Sequence, residues 1–304
     1  MAKWTALDIP PQNGRSAVIT GTGGLGYEDA LALARAGAEV ILAGRNAAKG
    51  AHAVAQIRAE LPSAMVRFEE LDLASLASIE AFGDRLLSQR GSLDMLINNA
   101  GVMVPPERLE TTDGFELQLG TNYLGHFALT AQLMPLLRRG KDARVVTLSS
   151  IAARDGAIDF GDLNARGSYK PMPVYAQSKL ACLMFAFELQ RQSDAGGWGV
   201  ASLAAHPGIA RTDLLHNAPG KASLVGTARS LLWFLFQPAW QGALPTLFAA
   251  TSPLARPGAY YGPDGLGETR GYPAEARIPP QALDAVAAAR LWLASTELTG
   301  AEFG

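Results

Sequence analysis

Short apolar runs rich in β-branched residues alternate along this chain with longer stretches in which apolar side chains recur every three or four positions. The runs SAVIT (Ser16 to Thr20), EVILAG (Glu39 to Gly44), MVRFEELDL (Met65 to Leu73), LDMLINNAG (Leu93 to Gly101), ARVVTLSS (Ala143 to Ser150) and WGVASLAAHPG (Trp198 to Gly208) read as six strands. Between them the pattern predicts helices over Gly26 to Ala36, ended by Gly37, over about Asn46 to Glu60, and over a stretch closing near Gln89. Two more follow, near Phe115 to Arg138 and from about Val174 to Gln192. Such alternation predicts an α/β fold, a parallel sheet with helices on both faces. Right-handed crossovers make it doubly wound, with ligands at the carboxyl ends of the strands.

From about Ser223 the character changes. A hydrophobic patch, SLVGTARSLLWFLF (Ser223 to Phe236), precedes a Gly/Pro-rich stretch, RPGAYYGPDGLGETRGYP, and a closing helix, ALDAVAAARLWLAS. No linker or repeat divides the chain. Residues 1–304 therefore read as a single domain, with a core over about 14–212 and a substrate-covering segment with C-terminal helices over about 213–304.

Composition removes several function classes. With 26 basic against 28 acidic side chains there is no electrostatic case for nucleic acid or an anionic membrane. The most apolar run contains Arg229 and falls short of the roughly 20 residues that span a bilayer, so no membrane span is expected. Histidines 52, 126, 206 and 216 are scattered without zinc-ligand spacing, and no metal is implied. One cysteine, Cys182, and no secretory leader suit a reducing compartment, and the expected location is cytoplasmic.

Gly21, Gly24, Leu25 and Gly26 occupy the turn between the first strand and its helix. There, backbone N–H groups and a helix N-terminus can approach a pyrophosphate; an ordinary tight turn is the alternative. The second strand ends Ala43-Gly44-Arg45, without the carboxylate that would bind a ribose 2′-OH. Arg45 can instead pair with a 2′-phosphate, so NADP(H) is favoured over NAD(H); the alternative is a solvated loop residue. Asp72 stands just past the third strand, where a carboxylate can accept from an adenine amino group or cap a helix.

Tyr175 and Lys179 lie four apart, on one face of a predicted helix. An ammonium beside a phenol favours the phenolate and makes it a usable acid–base group near neutrality. Ser150 ends the fifth strand, where a hydroxyl can hydrogen-bond a carbonyl oxygen. Asn122 sits inside a helix where an amide is otherwise disfavoured. NNAG (Asn98 to Gly101) closes the fourth strand and HPGIART (His206 to Thr212) the sixth.

With these motifs in order from about Gly14 to Thr212, the chain resembles the short-chain dehydrogenase/reductase superfamily. It is most similar to the retinol-dehydrogenase-like branch and related bacterial carbonyl reductases. The stretch ETTDGFELQLGTNYLGHFALT, the 25 residues from Ser150 to Tyr175 and the tail ARLWLASTELTG carry the likeness to that branch. The resemblance implies a Rossmann-type fold and hydride transfer between NADP(H) and a hydrophobic ketone, aldehyde or secondary alcohol. It makes Tyr175 the proton donor or base, and Lys179 the holder of the nicotinamide ribose. It makes Ser150, ahead of Ser149, the group that polarises the carbonyl, and Asn122 the anchor of a relay water. Asn98 and Gly101 would support the sheet and the adenosine ribose. Pro207, Ile209 and Thr212 would face the nicotinamide end. It also suggests a homodimer packed through the helices that carry Asn122 and Tyr175. Alternatives are a non-catalytic dinucleotide sensor or another enzyme of this type, an epimerase, dehydratase or C=C reductase. His126 and His206 read as structural.

The phosphate loop departs from the family pattern TG-x-x-x-G-x-G. Here it runs Thr20-Gly21-Thr22-Gly23-Gly24-Leu25-Gly26, with two residues where three are expected. The expected result is a reshaped cradle that still binds. Apolar segments after strands four to six, Met103 and Val104, Ile151 to Phe160, and Ile209 onward, are the expected pocket walls.

Overall fold

The computed structural model describes residues 3–210 and 236–304. Six strands stand where the apolar runs put them: β1 (Ser16–Thr20), β2 (Glu39–Gly44), β3 (Val66–Glu70), β4 (Met95–Asn98), β5 (Arg144–Leu148) and β6 (Ala201–Ala205). Two more, β7 (Tyr260–Gly265) and β8 (Arg270–Glu275), come from the Gly/Pro-rich stretch, to which the sequence pattern assigns no strand. The sheet order is β3-β2-β1-β4-β5-β6-β7-β8, parallel except for the last pair. Pro263 and Pro273 are tolerated because β8 is an edge and only Tyr260 and Tyr261 of β7 pair with β6. The strand order reverses between β1 and β4, and that switch point opens the crevice where ligands bind such sheets.

The strands alternate their faces. Val18, Ile41, Leu96 and Val145 pack on one side against α3 (Leu76–Gln89), α5 (Gly125–Leu137) and α6 (Pro171–Gly196). Ile19, Val40, Leu42 and Ile97 pack on the other against α1 (Leu25–Arg35), α2 (Ala47–Glu60) and the later helix Leu244–Thr251. Asn46 caps α2 by accepting the Lys49 N–H (2.9 Å), and Ser75, not Asp72, caps α3. The expected single helix from Phe115 to Arg138 is broken. A turn, α4 (Leu117–Leu119), leads into a π-helical segment, Gly120–Leu124, and only then into α5.

Beyond residue 235 lie α7 (Ala239–Gly242), α8 (Leu244–Thr251) and α9 (Ala285–Thr299), the last capped by Asp284. The side chain of Ser295 on α9 hydrogen-bonds Tyr123 (2.6 Å), and Trp292 lies with ring centroids 5.1 Å from Phe127 and 5.9 Å from Phe185. Phe303 joins the same aromatic cluster. The helices on which the resemblance puts a second copy are thus overlaid by the chain's own C-terminal helix. Among the described residues no helix is long and apolar enough to cross a membrane, and no group of three or more His, Cys, Asp or Glu could hold a metal.

Candidate active site

A cleft of ≈ 770 Å³ opens past the end of β1, lined by Gly21 to Leu25, by Lys49 and His52 of α2, and by Asn99 to Gly101. A smaller one of ≈ 280 Å³ continues over the end of β2, between Thr22, Arg45, Lys49 and Asp72. Gly21 (φ +94°) and Gly24 (φ +52°) take backbone conformations that side chains disfavour, and a Cβ on Gly26 would strike the Gly21 carbonyl and the Asn99 amide. Bare backbone at the start of α1, a cation on α2 and a carboxylate past β3 suit the pyrophosphate and adenosine of a dinucleotide.

Asn98 lies behind this cleft rather than in it. Its amide is buried and donates to Thr130 Oγ1 (3.1 Å), because the β4 register turns it into the sheet–α5 interface. The next residue, Asn99, lines the cleft and donates its side-chain amide to the Thr20 carbonyl (2.7 Å).

Asn122, Lys179 and Gly101 meet at one point. A Cβ on Gly101 would stand 3.0 Å from Asn122 Oδ1 and 3.6 Å from Lys179 Nζ, which is why a glycine closes NNAG. Asn122 Oδ1 accepts the Val102 N–H (2.7 Å), and its Nδ2 donates to the Val102 carbonyl and to Ser178 Oγ (3.0 Å each). This amide therefore clamps the loop leaving β4. Lys179 is buried at 5% exposure and donates to the Leu148 carbonyl (3.1 Å), with no carboxylate paired to it among the described residues.

The two serines are told apart by their partners. Ser149 donates to the Lys179 carbonyl (2.8 Å), a structural bond on α6. Ser150 Oγ accepts from the Ala152 N–H (3.2 Å), which leaves its hydroxyl proton free among the described residues. Tyr175 is likewise buried on α6, one turn before Lys179, and its hydroxyl has no hydrogen-bond partner among the described residues.

His126 is fully enclosed. Its Nδ1 lies 2.9 Å from the Asn122 carbonyl, so that nitrogen carries the proton, and Nε2 accepts from Thr20 Oγ1 at 2.9 Å. Burial pushes its pKa down to about 4.

Two features of the site lay beyond sequence reading. Glu268, at the tip of the β7–β8 hairpin, takes its carboxylate to His206 Nε2 (3.0 Å) and to the Arg154 guanidinium (2.6 Å). It thereby joins the segment after Ser150 to the one before Pro207. Ile209 N–H donates to the Thr269 carbonyl (2.7 Å), and the Pro207 carbonyl accepts from Gln237 Nε2 (2.5 Å). On the β4 side, Gln118 Oε1 accepts the N–H of Val104, whose φ is +53° (2.7 Å). Gln118 falls inside a predicted helix with no motif to mark it, and the hairpin carries no strand signal in the sequence. Thr212, Trp233 and Phe234 lie outside the described residues.

The chain matches the short chain dehydrogenase family over residues 15–222. It is 42% identical over 303 residues to the mouse (Mus musculus) polyprenol dehydrogenase, covering 97% of this chain and 87% of that one. It is 39% identical over 297 residues to mouse retinol dehydrogenase 13, covering 94% and 84%. A crystal structure of an uncharacterized protein from Mycobacterium paratuberculosis superposes over 100% of both chains with a TM-score of 0.81 at 40% identity. A short chain dehydrogenase from Burkholderia cenocepacia J2315 in complex with NADP gives 0.64 at 25%, over 82% of this chain and 96% of that one. The chain belongs to the short-chain dehydrogenase/reductase superfamily of oxidoreductases, in its retinol-dehydrogenase-like branch.

Proposed function

We propose that this protein is an NADP(H)-dependent carbonyl reductase or alcohol dehydrogenase acting on a hydrophobic ketone, aldehyde or secondary alcohol. The observation that carries the reading is the buried Lys179 ammonium. Among the described residues it has no carboxylate to neutralise it and sits one helical turn from a Tyr175 hydroxyl without a hydrogen-bond partner, beside Gly101 at the edge of the cleft. A cation so placed stands where it can attend a phenol that gives or takes a proton.

When bound, the nicotinamide supplies or takes up the hydride. Tyr175 gives its phenolic proton to the carbonyl oxygen in reduction, or removes the hydroxyl proton in oxidation. Ser150, whose hydroxyl proton has no acceptor among the described residues, donates to the same oxygen and orients it. Lys179 then has hydrogens available for the ribose hydroxyls. The proton returns to Tyr175 along Lys179 and a water held at the second lone pair of Asn122 Oδ1; the Asn122 carbonyl is already taken by His126 Nδ1 and Cys182 Sγ. Arg45 and Asp72 serve the adenosine half, and Gly21, Gly24, Leu25 and Gly26 the pyrophosphate. Pro207, Ile209 and Thr212 serve the nicotinamide end.

The expected pocket walls, Met103, Val104 and Ile151 to Phe160, are mostly apolar in sequence, and the relatives named for polyprenol and retinol carry hydrophobic alcohols in their names. The whole chain works as one domain in a reducing, cytoplasmic setting, to which the buried free thiol of Cys182 is suited. The test is turnover of a panel of hydrophobic ketones and aldehydes with NADPH carrying a deuteride. Deuterium on the carbinol carbon supports the reading; deuterium on an alkene carbon, or no transfer at all, overturns it.

A further inference from the structure

Two loops leave the carboxyl ends of the paired strands β5 and β6. The first begins with Ser150, whose side chain caps the short helical segment Ile151–Asp155, and Arg154 stands in the last turn of that segment. The second is the turn His206-Pro207-Gly208. One carboxylate fastens both. Glu268 Oε2 lies 2.6 Å from the Arg154 guanidinium and 3.0 Å from His206 Nε2, and Glu268 Oε1 accepts the Arg277 N–H (2.9 Å).

The bonds around His206 fix where its proton sits. Nδ1 accepts the Gly208 N–H (3.2 Å), so the neutral ring carries its proton on Nε2 and donates it to Glu268. The ring is fully buried, and a Cβ on Gly262 would run into it, so it is held in place. A carboxylate at Nε2 selects the tautomer whose other nitrogen can accept. Glu268 therefore reaches the Gly208 N–H through the ring and the Ser150 segment through Arg154.

The hairpin tip is strained to bring that carboxylate in. Leu266 (φ +43°), Gly267 (φ +66°) and Glu268 (φ +65°) are left-handed in succession. Hairpin turns ordinarily fill such positions with Gly, Asn or Asp. Other residues stay there only where their surroundings over-determine them, and such strain gathers at functional sites. The tip also fits closely against the turn. Gly208 (φ +63°) has no room for a Cβ, which would strike the Thr269 carbonyl oxygen, and that oxygen accepts the Ile209 N–H (2.7 Å).

We propose that Glu268 is a positioning residue for hydride transfer, holding the turn after β6 and the Ser150 segment after β5 at one fixed spacing. This rests on the carbonyl-reductase reading above, in which that turn attends the nicotinamide and Ser150 the carbonyl oxygen. Glu268 acts through His206 and Arg154. The glycine loop and Asn99 to Gly101, which line the larger cleft, have no bond to this network among the described residues, so cofactor affinity should outlast its loss.

The experiment compares wild type with Glu268→Ala, Glu268→Asp, His206→Asn and the double variant Glu268→Ala/His206→Asn. For each, kcat on the hydrophobic ketone that wild type turns over fastest is measured with NADPH and with NADPH carrying a deuteride. NADPH affinity comes from fluorescence titration. A small misplacement of reacting groups can cost about 10²-fold, so Glu268→Ala should lower kcat by about tenfold to a hundredfold with NADPH affinity within about threefold. The isotope effect on kcat should rise, because the chemical step becomes the slow one. The double variant should fall no lower than Glu268→Ala, since the two residues act in one chain. Glu268→Asp keeps the charge but withdraws the carboxylate by one methylene, and it decides by the same criteria where Glu268→Ala does not fold. A kcat within about twofold of wild type, a parallel loss of kcat and NADPH affinity, or additive losses in the double variant overturn the positioning role and leave the oxidoreductase reading standing. A wild type that transfers no deuteride to a carbonyl carbon overturns both.

Discussion

His126 Nδ1 hydrogen-bonds the carbonyl oxygen of Asn122, four residues earlier, across the π-helical segment that α5 grows from (2.9 Å). The other ring nitrogen reaches Thr20 at the end of β1. A neutral ring, donating on one side and accepting on the other, therefore joins the clamp on the β4 loop to the start of the phosphate loop. The bond to Thr20, in which the ring accepts, needs the imidazole uncharged, and burial keeps it so until about pH 4. An unfolded histidine takes up its proton near 6.5. Between these values the unfolded chain binds more protons, so stability drops as the pH falls from about 6.5 toward 4, by about 3 kcal/mol in all from this group. In His126→Asn that contribution disappears. Urea unfolding at intervals between the two values should show the wild-type advantage shrinking toward acid; parallel curves for the two proteins would sink the assignment.

Tyr175→Phe removes one oxygen that has no hydrogen-bond partner among the described residues. The fold and the cofactor cleft should be untouched. Loss of a positioned acid–base group lowers turnover by about 10²–10⁴-fold. The expected outcome is an unchanged melting temperature, unchanged NADPH affinity and turnover reduced by that factor. Turnover near the wild-type level would move the proton donor elsewhere.

Asp29 is a cost in the fold. It is buried on α1 with both carboxylate oxygens unpartnered among the described residues. Burial, and secondarily the charge of Glu28, hold its pKa well above the ordinary carboxylate range. A folded carboxyl that keeps its proton longer than an unfolded one loses stability as the pH rises above about 3.9. Asp29→Ala should therefore stabilise the protein at pH 7 by about 1–3 kcal/mol, and by less at pH 4. Thermal melts at the two values give the comparison, and a variant less stable than wild type at pH 7 would show that Asp29 has a partner.

Much of this architecture could be read from the chain, and the failures share a cause. The six parallel strands, the glycine loop and the Tyr175–Lys179 helix are local patterns, set by periodicity and by residues a few positions apart. The hairpin β7–β8 is hidden because Pro263 and Pro273 break the usual strand signal, and its pairing partner Ala204–Ala205 lies 56 residues upstream. The π-helical segment at Asn122 could not be separated from an α-helix, since both put apolar residues on similar spacings. Asn98 and Asn99 look alike in NNAG, and only the register of β4 decides which faces the cleft. Glu268 closes on His206 and Arg154 through space alone, across 62 residues of sequence in one case.

The last consequence concerns assembly. Outward-facing apolar helices in an open sheet protein invite a second copy, and the resemblance put one on α5 and α6. In this chain Trp292 and Phe303 complete an aromatic cluster with Phe127 and Phe185, with Trp292 and Phe303 centroids 4.4 Å apart. The Tyr123–Ser295 bond fixes α9 to the π-helical segment beneath it. Docking a second copy there would require peeling α9 away and exposing that cluster. The protein is therefore expected to sediment at the 32.0 kDa of one chain. Trp292→Ala, by removing a half-buried ring from the cluster, should cost about 2–4 kcal/mol of stability. It should also raise the tendency to self-associate, because the exposed apolar face then seeks other cover. Sedimentation of both proteins at matched concentration decides the point: a wild-type dimer crosslinked from α5 to α5 would mean that α9 yields its place to a partner.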